Sequence, residues 1–461
     1  MAPPQIRSYD RRTFLGAAGA LGAAALTPKA LSQSNGASRS TRQARNVILA
    51  VADGLSPGAL SILDLARRYT DGGASRWLQW MNEPGVTSTL VETTPAIGAR
   101  TDSAAAASAW SIGQRVARGA ISYTTDGSTP PPLFVRAKET GRRVGLVTTA
   151  KLTDATPAAM MCNAKSRAEH DNIARQYINN GLDFGIGGGA KHFNLREVRR
   201  RGVVLAERRI DLRRAVRINK DRAVLGLLGE SILPHALDRE YSDLDQREAA
   251  ELALAHLSAS PKGFCLLFEN ENTDNASHAN DAASLVRDLH DFEQALDVLI
   301  DFTRSRDDTL LIATTDHGCG NPGFAAADEP GIEQLQRMME ARRSFAWINR
   351  QFRNLPQSDQ SLEIFAEIIR GALGVSITDD ETPYLESLVA GAPLDAYKGR
   401  RYWSSVLGSI VANHFGVAFN TRHHTTDLVI ATAMGPGSES LPPLCHQTDL
   451  HRVMVDALGL V

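Results

Sequence analysis

The sequence is poor in cysteine, with four in 461 residues. That excludes a small scaffold stapled by disulfides, which needs a far denser set. A basic surplus is missing too: 50 Lys and Arg stand against 52 Asp and Glu, for a formal net charge of -2. Nucleic acid is therefore not an expected partner. Past the first thirty residues, no apolar run approaches the ~20 residues a membrane helix requires, and no segment repeats. What is present is an ordinary globular mixture, 43% apolar and 22% charged. The chain is long enough for one large domain with insertions.

The N-terminus reads as an address. Arg11 and Arg12 precede an Ala- and Gly-rich apolar run from Phe14 to Leu26, and Lys29 and the small residues around Ala30 follow it. The run is too short to span a bilayer. The pattern over 1–32 resembles a bacterial twin-arginine export signal, which implies passage through the Tat machinery. The mature protein is then expected in the periplasm or outside the cell, with no stable membrane span. Cleavage removes Arg7, Arg11, Arg12 and Lys29 against Asp10 alone, leaving a mildly acidic chain. Residues 33–44 lack apolar spacing and read as a flexible leader, so the domain is expected over 45–461.

Within it, continuous apolar runs at 46–52, 144–148, 184–186, 264–268, 309–314 and 428–433 predict strands buried on both faces. Helical spacing predicts helices over 103–114, 166–179, 246–258 and 279–302; in the last, Leu285, Leu289, Phe292, Leu296 and Leu299 form one stripe. Strands alternating with helices predict an α/β fold in three layers around a mainly parallel sheet. Two stretches interrupt the alternation. Residues 205–245 are charged and read as an excursion or an edge element. An insert at about 325–410 carries Phe345, Trp347, Tyr384, Tyr397, Tyr402 and Trp403, read as a small satellite core in preference to a lid.

Acidic residues and histidines collect where the strands end. Asp53 follows the first strand, Glu269 ends another, and Asp316 and His317 close a third. Ligands of open α/β sheets bind at the carboxyl ends of strands, so these side chains are expected to converge. Asp274 and His278 are four apart and share a helix face. A carboxylate and an imidazole so placed can chelate one metal ion, and His424 can join them from the far end of the chain. Ser103 opens a helix after Asp102. No Gly-x-Ser-x-Gly surrounds it, so activation by metal is its remaining route to nucleophilicity. Thr156 and Glu269 are hard donors of the kind Mg²⁺ takes. Asp154 is placed to hold water on that ion, and Arg167 to grip two phosphate oxygens.

These segments resemble, in order, those of the alkaline phosphatase family: 46–54, 101–110, 144–167, Gly187–Gly189, 268–281, 315–318, His424-Thr425 and His446-Gln447-Thr448-Asp449. The likeness covers most of 45–320 and 414–461. It implies that fold, with the insert as a cap- or crown-like addition. The activity it implies is hydrolysis of small phosphate monoesters through a phosphoserine, on two Zn²⁺ and one Mg²⁺. By the family's pattern Asp274, His278 and His424 hold one zinc, and Asp53, Asp316 and His317 the other. Asp53 also bridges to Mg²⁺ with Thr156, Glu269 and, through water, Asp154. Ser103 is then the nucleophile, Arg167 the phosphate clamp and Asp102 the residue that orients it. A homodimer is also implied.

Departures accompany the match. Ala52 precedes Asp53 where the family usually has Gly, and Asn275 stands where many relatives carry Lys or His. Glu271 lies two residues past Glu269; the interval of five to Asp274 selects Glu269. Cys319 falls near the metal motifs, where a fourth soft ligand is not required, and Cys265 reads as a free core thiol. Three rival readings fit less well. A sulfatase lacks its Cys- or Ser-x-Pro-x-Arg signature here. A two-metal phosphodiesterase usually lacks the Mg²⁺ set, and a non-catalytic phosphate- or zinc-binding protein is expected to have lost a ligand, Ser103 or Arg167.

Overall fold

The computed structural model describes residues 43–325, 331–389 and 403–460. The expected signal at 1–32 and the leader up to residue 42 lie outside them. Ten strands form one sheet, in the spatial order Leu444–His446, Val86–Glu92, Val429–Met434, Thr309–Thr314, Asn46–Ala52, Phe264–Asn270, Arg143–Lys151, Phe184–Gly188, Val224–Leu227, Val204–Ala206. Every pairing is parallel except the two made by Val429–Met434, which runs against its neighbours.

The central strand shows why three layers form. Ile48, Ala50 and Ala52 enter one buried cluster, and Val47, Leu49 and Val51 the other. Period-two side chains on an all-apolar strand must be covered on both faces. The long helix Ala282–Arg304 lies on the first side, and the helices Ser103–Ile112, Ala155–Met161 and Gln447–Leu458 on the second. Among the described residues no helix is long and apolar enough to cross a membrane.

The predicted helix over 279–302 is present as Ala282–Arg304, and a shorter helix, Asn272–Ala279, stops just before it. Asn280 takes a left-handed conformation (φ 56°) that ends Asn272–Ala279. Asp281 then caps Ala282–Arg304 by accepting from Ser284 N. An asparagine tolerates this conformation and an aspartate is a strong N-cap, so two adjacent residues stop one helix and start the next. Residues 205–245 supply the sheet's edge, through Val204–Ala206 and Val224–Leu227 with the helix Arg209–Ile218 between them.

The insert does not build a core of its own. Phe345, Ile348, Phe352, Phe365 and Ile369 join the same cluster as Leu285, Leu289 and Phe292 of the long helix. Each such side chain taken from water contributes ~1.5–3 kcal/mol, which holds the insert against the main body. Trp347 is partly buried against that cluster and Tyr384 is exposed. Tyr397, Tyr402 and the side chain of Trp403 lie outside the described residues.

Candidate active site

Three adjacent parallel strands deliver the first carboxylates. Val51 pairs with Glu269 on one side and Thr314 on the other. Glu269, Asp53 and Asp316 therefore leave the sheet side by side at its carboxyl edge. All three are fully buried. The turn after Asp53 is held by Gly54, whose φ of +66° suits glycine. Gly54 N donates to Asp316 Oδ1 (3.0 Å), and a Cβ on Gly54 would stand 2.3 Å from Asp274 Oδ1.

Asp274 and His278 lie one turn apart on the helix Asn272–Ala279, Nε2 to Oδ2 3.1 Å. His424 arrives on the two-residue strand His424–Thr425. His278 Nδ1 donates to the carbonyl of Arg422 (2.6 Å), and His424 Nδ1 to that of Thr101 (3.1 Å). Carbonyl oxygens only accept, so each ring keeps its proton on Nδ1 and turns a lone pair inward at Nε2. Those two Nε2 atoms are 3.0 Å apart. His317 stacks on His424 with centroids 3.6 Å apart, its Nε2 2.9 Å from Asp316 Oδ2 and 3.9 Å from Asp53 Oδ1.

The donor atoms fall into three groups, each within 4.8 Å internally: Asp274, His278, Cys319 and His424; Asp53, Asp316 and His317; Asp53, Glu269 and Glu271. Thr156 Oγ1 lies 3.5 Å from Asp53 Oδ2, beside the last group. Asp53 Oδ1, Glu269 Oε1 and Asp274 Oδ1 are buried without a hydrogen-bond partner. Burial, and then the neighbouring carboxylates led by Asp316, push Asp53 well above the carboxylate range. Burial likewise pushes Glu269 up to about 8, against the hydrogen bonds of Thr148 and Thr156. Burial and the charge of His317 take His424 down to about 4. Crowded anions with open oxygen atoms and inward lone pairs fit cations.

Ser103 sits beside this set, its Oγ 3.4 Å from His317 Nε2. Its helix is alanine-rich, buried on every side and ended by Gly113 in the left-handed region. Asp102, not Ser103, caps that helix by accepting from Ala105 N (3.1 Å), which leaves the serine hydroxyl uncommitted to the cap. Arg167 reaches both acidic neighbours: Nη2 to Asp154 Oδ1 at 2.9 Å and Nη1 to Asp102 Oδ2 at 3.5 Å. Burial works against its charge, but Asp154 and Glu271 outweigh it and raise its pKa. Asp154 caps Ala155–Met161, also pairs with Lys151, and does not belong to any of the three donor groups.

Each sequence-predicted residue thus lies in or against one pocket of charge. Sequence spacing set Glu271 aside in favour of Glu269 and gave Cys319 no ligand role; both join donor groups, Cys319 through Sγ with Asp274, His278 and His424. The motif at 446–449 serves the site from behind. Gln447 Nε2 donates to the Asp316 carbonyl (2.5 Å), and His446 with Asp449 forms a capping box for the last helix.

Comparison with known proteins adds the following. A family model described as alkaline phosphatase matches residues 44–460, the insert included. Alkaline phosphatase 4 of Bacillus subtilis (strain 168) is 28% identical over 370 residues, 78% of this chain and 76% of the relative. The alkaline phosphatase of Escherichia coli (strain K12) is 26% identical over 64% of this chain and 75% of its own length. The crystal structure of Thermus thermophilus alkaline phosphatase superposes with a TM-score of 0.83 at 26% identity, over 91% of this chain and 92% of that one.

Proposed function

The chain belongs to the alkaline phosphatase family, and from that premise we propose that it hydrolyses phosphate monoesters at Ser103, with two Zn²⁺ and one Mg²⁺ in the three donor groups. The observation that carries this is the inward-facing Nε2 pair of His278 and His424, the second of which stacks on His317, whose own Nε2 stands 3.4 Å from Ser103 Oγ. Donor chemistry sorts the ions. Imidazoles with carboxylates (Asp274, His278 and His424; Asp53, Asp316 and His317) suit Zn²⁺. The oxygen donors Asp53, Thr156 and Glu269 suit Mg²⁺, with Asp154 reaching it through water. Bound there, the cations lower the pKa of a coordinated oxygen and neutralise charge at both ends of an in-line displacement.

Ser103 gives up its hydroxyl proton to solvent as Oγ forms a bond to phosphorus and the bond to the alcohol oxygen breaks; the departing alkoxide takes a proton from water. Water then attacks the phosphoserine and loses a proton, the bond to the serine oxygen breaks and that oxygen is reprotonated, and inorganic phosphate is released. Arg167, oriented by Asp154 and Asp102, pairs with two non-bridging oxygens. The N-terminus of Ser103–Ile112 favours the same charge. Export of the enzyme through the Tat route, and its pairing into a homodimer, belong to the same reading.

The test is phosphate release by residues 33–461 from p-nitrophenyl phosphate and bis-p-nitrophenyl phosphate, with Zn²⁺ and Mg²⁺, after chelation, and in Ser103→Ala. Monoester turnover that dies on chelation and falls by orders of magnitude in the variant is expected. Faster diester turnover would reassign the substrate, and none in folded, metallated protein would leave a binding protein.

A further inference from the structure

We infer that Cys319 is a fourth protein ligand, through Sγ, of the metal held by Asp274, His278 and His424. The inference rests on the two-metal reading above and deepens it. Cys319 belongs to the two-residue strand Gly318–Cys319, which pairs antiparallel with His424–Thr425. Cys319 lies directly opposite His424. Residues opposed across a ladder project to the same face, so the thiol is carried to the side where His424 turns its Nε2.

The register cannot drift. Gly320 N donates to the His423 carbonyl (3.0 Å), and Ser56 Oγ to the Cys319 carbonyl (3.2 Å). Gly318 is packed so closely that a Cβ would stand 2.5 Å from Thr425 Oγ1. The side chain of Cys319 is fully buried, and its sulfur lies within 4.8 Å of one donor atom from each of the other three residues. Zinc, with Zn–N of ~2.0 Å and Zn–S of ~2.3 Å, separates its donors by roughly 3.3–3.6 Å, so small side-chain adjustments bring the four together, and expansion to a fifth position keeps room for a substrate oxygen. Two further features aim at the same point: the partnerless Asp274 Oδ1 and the opposed Nε2 pair.

A sulfur ligand changes what the position selects. Carboxylate and imidazole alone admit many divalent ions, whereas thiolate favours Zn²⁺, Co²⁺ or Cd²⁺ over Mg²⁺ and Mn²⁺. The other three cysteines are buried and stand outside the donor groups. A sulfur signal from a bound ion therefore reports Cys319.

The experiment loads metal-free protein with Co²⁺ and records its absorption with metal content by mass spectrometry. The expected result is an intense near-ultraviolet thiolate-to-cobalt charge-transfer band beside the visible ligand-field bands. Cys319→Ser should keep the visible bands and lose the ultraviolet one, and its Zn²⁺ affinity, measured against a chromophoric chelator, should fall ~10-fold or more. Cys319→Ala stands in if serine disturbs packing. Visible bands without the ultraviolet band in wild type would overturn the sulfur ligand and leave the metal site standing. Failure of wild type to bind Co²⁺ or Zn²⁺ would overturn both.

Discussion

His278 and His424 hold their Nε2 atoms 3.0 Å apart, although each ring has already committed its Nδ1 proton to a backbone carbonyl. Two lone pairs at that distance repel unless a cation, or a shared proton, lies between them. Stripping metal at neutral pH is therefore expected to cost stability as well as activity, because binding energy to the folded state adds directly to it. Calorimetry should show a melting temperature lower by several degrees after chelation, restored by Zn²⁺. An unchanged melting temperature in protein shown to be metal-free would count against the cation.

Gly54→Ala tests how tightly the metal ligands are cradled. The new Cβ would sit 2.3 Å from Asp274 Oδ1 in a backbone at φ +66°. That conformation costs a residue with a Cβ ~1–2 kcal/mol, and displacement of Asp274 adds to it. Turnover should fall ~100-fold or more with the circular dichroism spectrum retained. Full activity would mean that the turn yields without displacing Asp274.

Arg167→Ala should raise KM, and the inhibition constant of inorganic phosphate, by ~10- to 100-fold, the worth of a charge-assisted pair. Arg167→Lys should recover only part of this, since an ammonium cannot present two parallel N–H groups. Equal kinetics in all three proteins would remove Arg167 from the phosphate site.

Alkaline pH should weaken the fold at a pair that stands outside the three donor groups. Burial opposes charge on His235, but Asp288 Oδ2, 2.6 Å away, outweighs it and holds the imidazole at about 9. The folded state then keeps a proton that the unfolded state releases near its ordinary value. The stability gained, ~3 kcal/mol, is full below that value and is lost as pH climbs through 9. Chemical denaturation between pH 6 and 10 should show this decline, and His235→Gln should flatten it. A decline of the same size in the variant would assign it elsewhere.

Replacing Arg11 and Arg12 together by lysine should keep active enzyme in the cytoplasm of a bacterial host, measured by fractionation, while the wild type is exported. Equal export would leave the twin arginines without a role.

The sheet's centre was legible because its strands are covered on both faces and consist of apolar runs; Asn46–Ala52 and Thr309–Thr314 have the expected limits. Val86–Glu92 was not, since serine, threonine and an exposed Leu90 dilute its pattern near the sheet's margin. The carboxylates were legible from their places at strand ends. Glu271 was legible only as a competitor of Glu269, as spacing along a chain does not reveal that a turn brings both to Asp53. Cys319 was legible as a cysteine near the metal motifs but not as one of their donors. Its partner across the ladder is His424, and no local pattern links residues so far apart.

The order of the strands in the sheet has a consequence for biosynthesis. Asn46–Ala52 emerges from the ribosome early, yet its two neighbours, Phe264–Asn270 and Thr309–Thr314, follow about 220 and 260 residues later. Until they arrive, this fully buried strand has no ladder to join, and a nascent chain halted before residue 264 offers it neither edge. Such long-range pairing delays the rewarding contacts until loop closure has been met. Stepwise folding from the N-terminus is closed to this strand, whose two ladders are both formed only once the chain past residue 309 has been made.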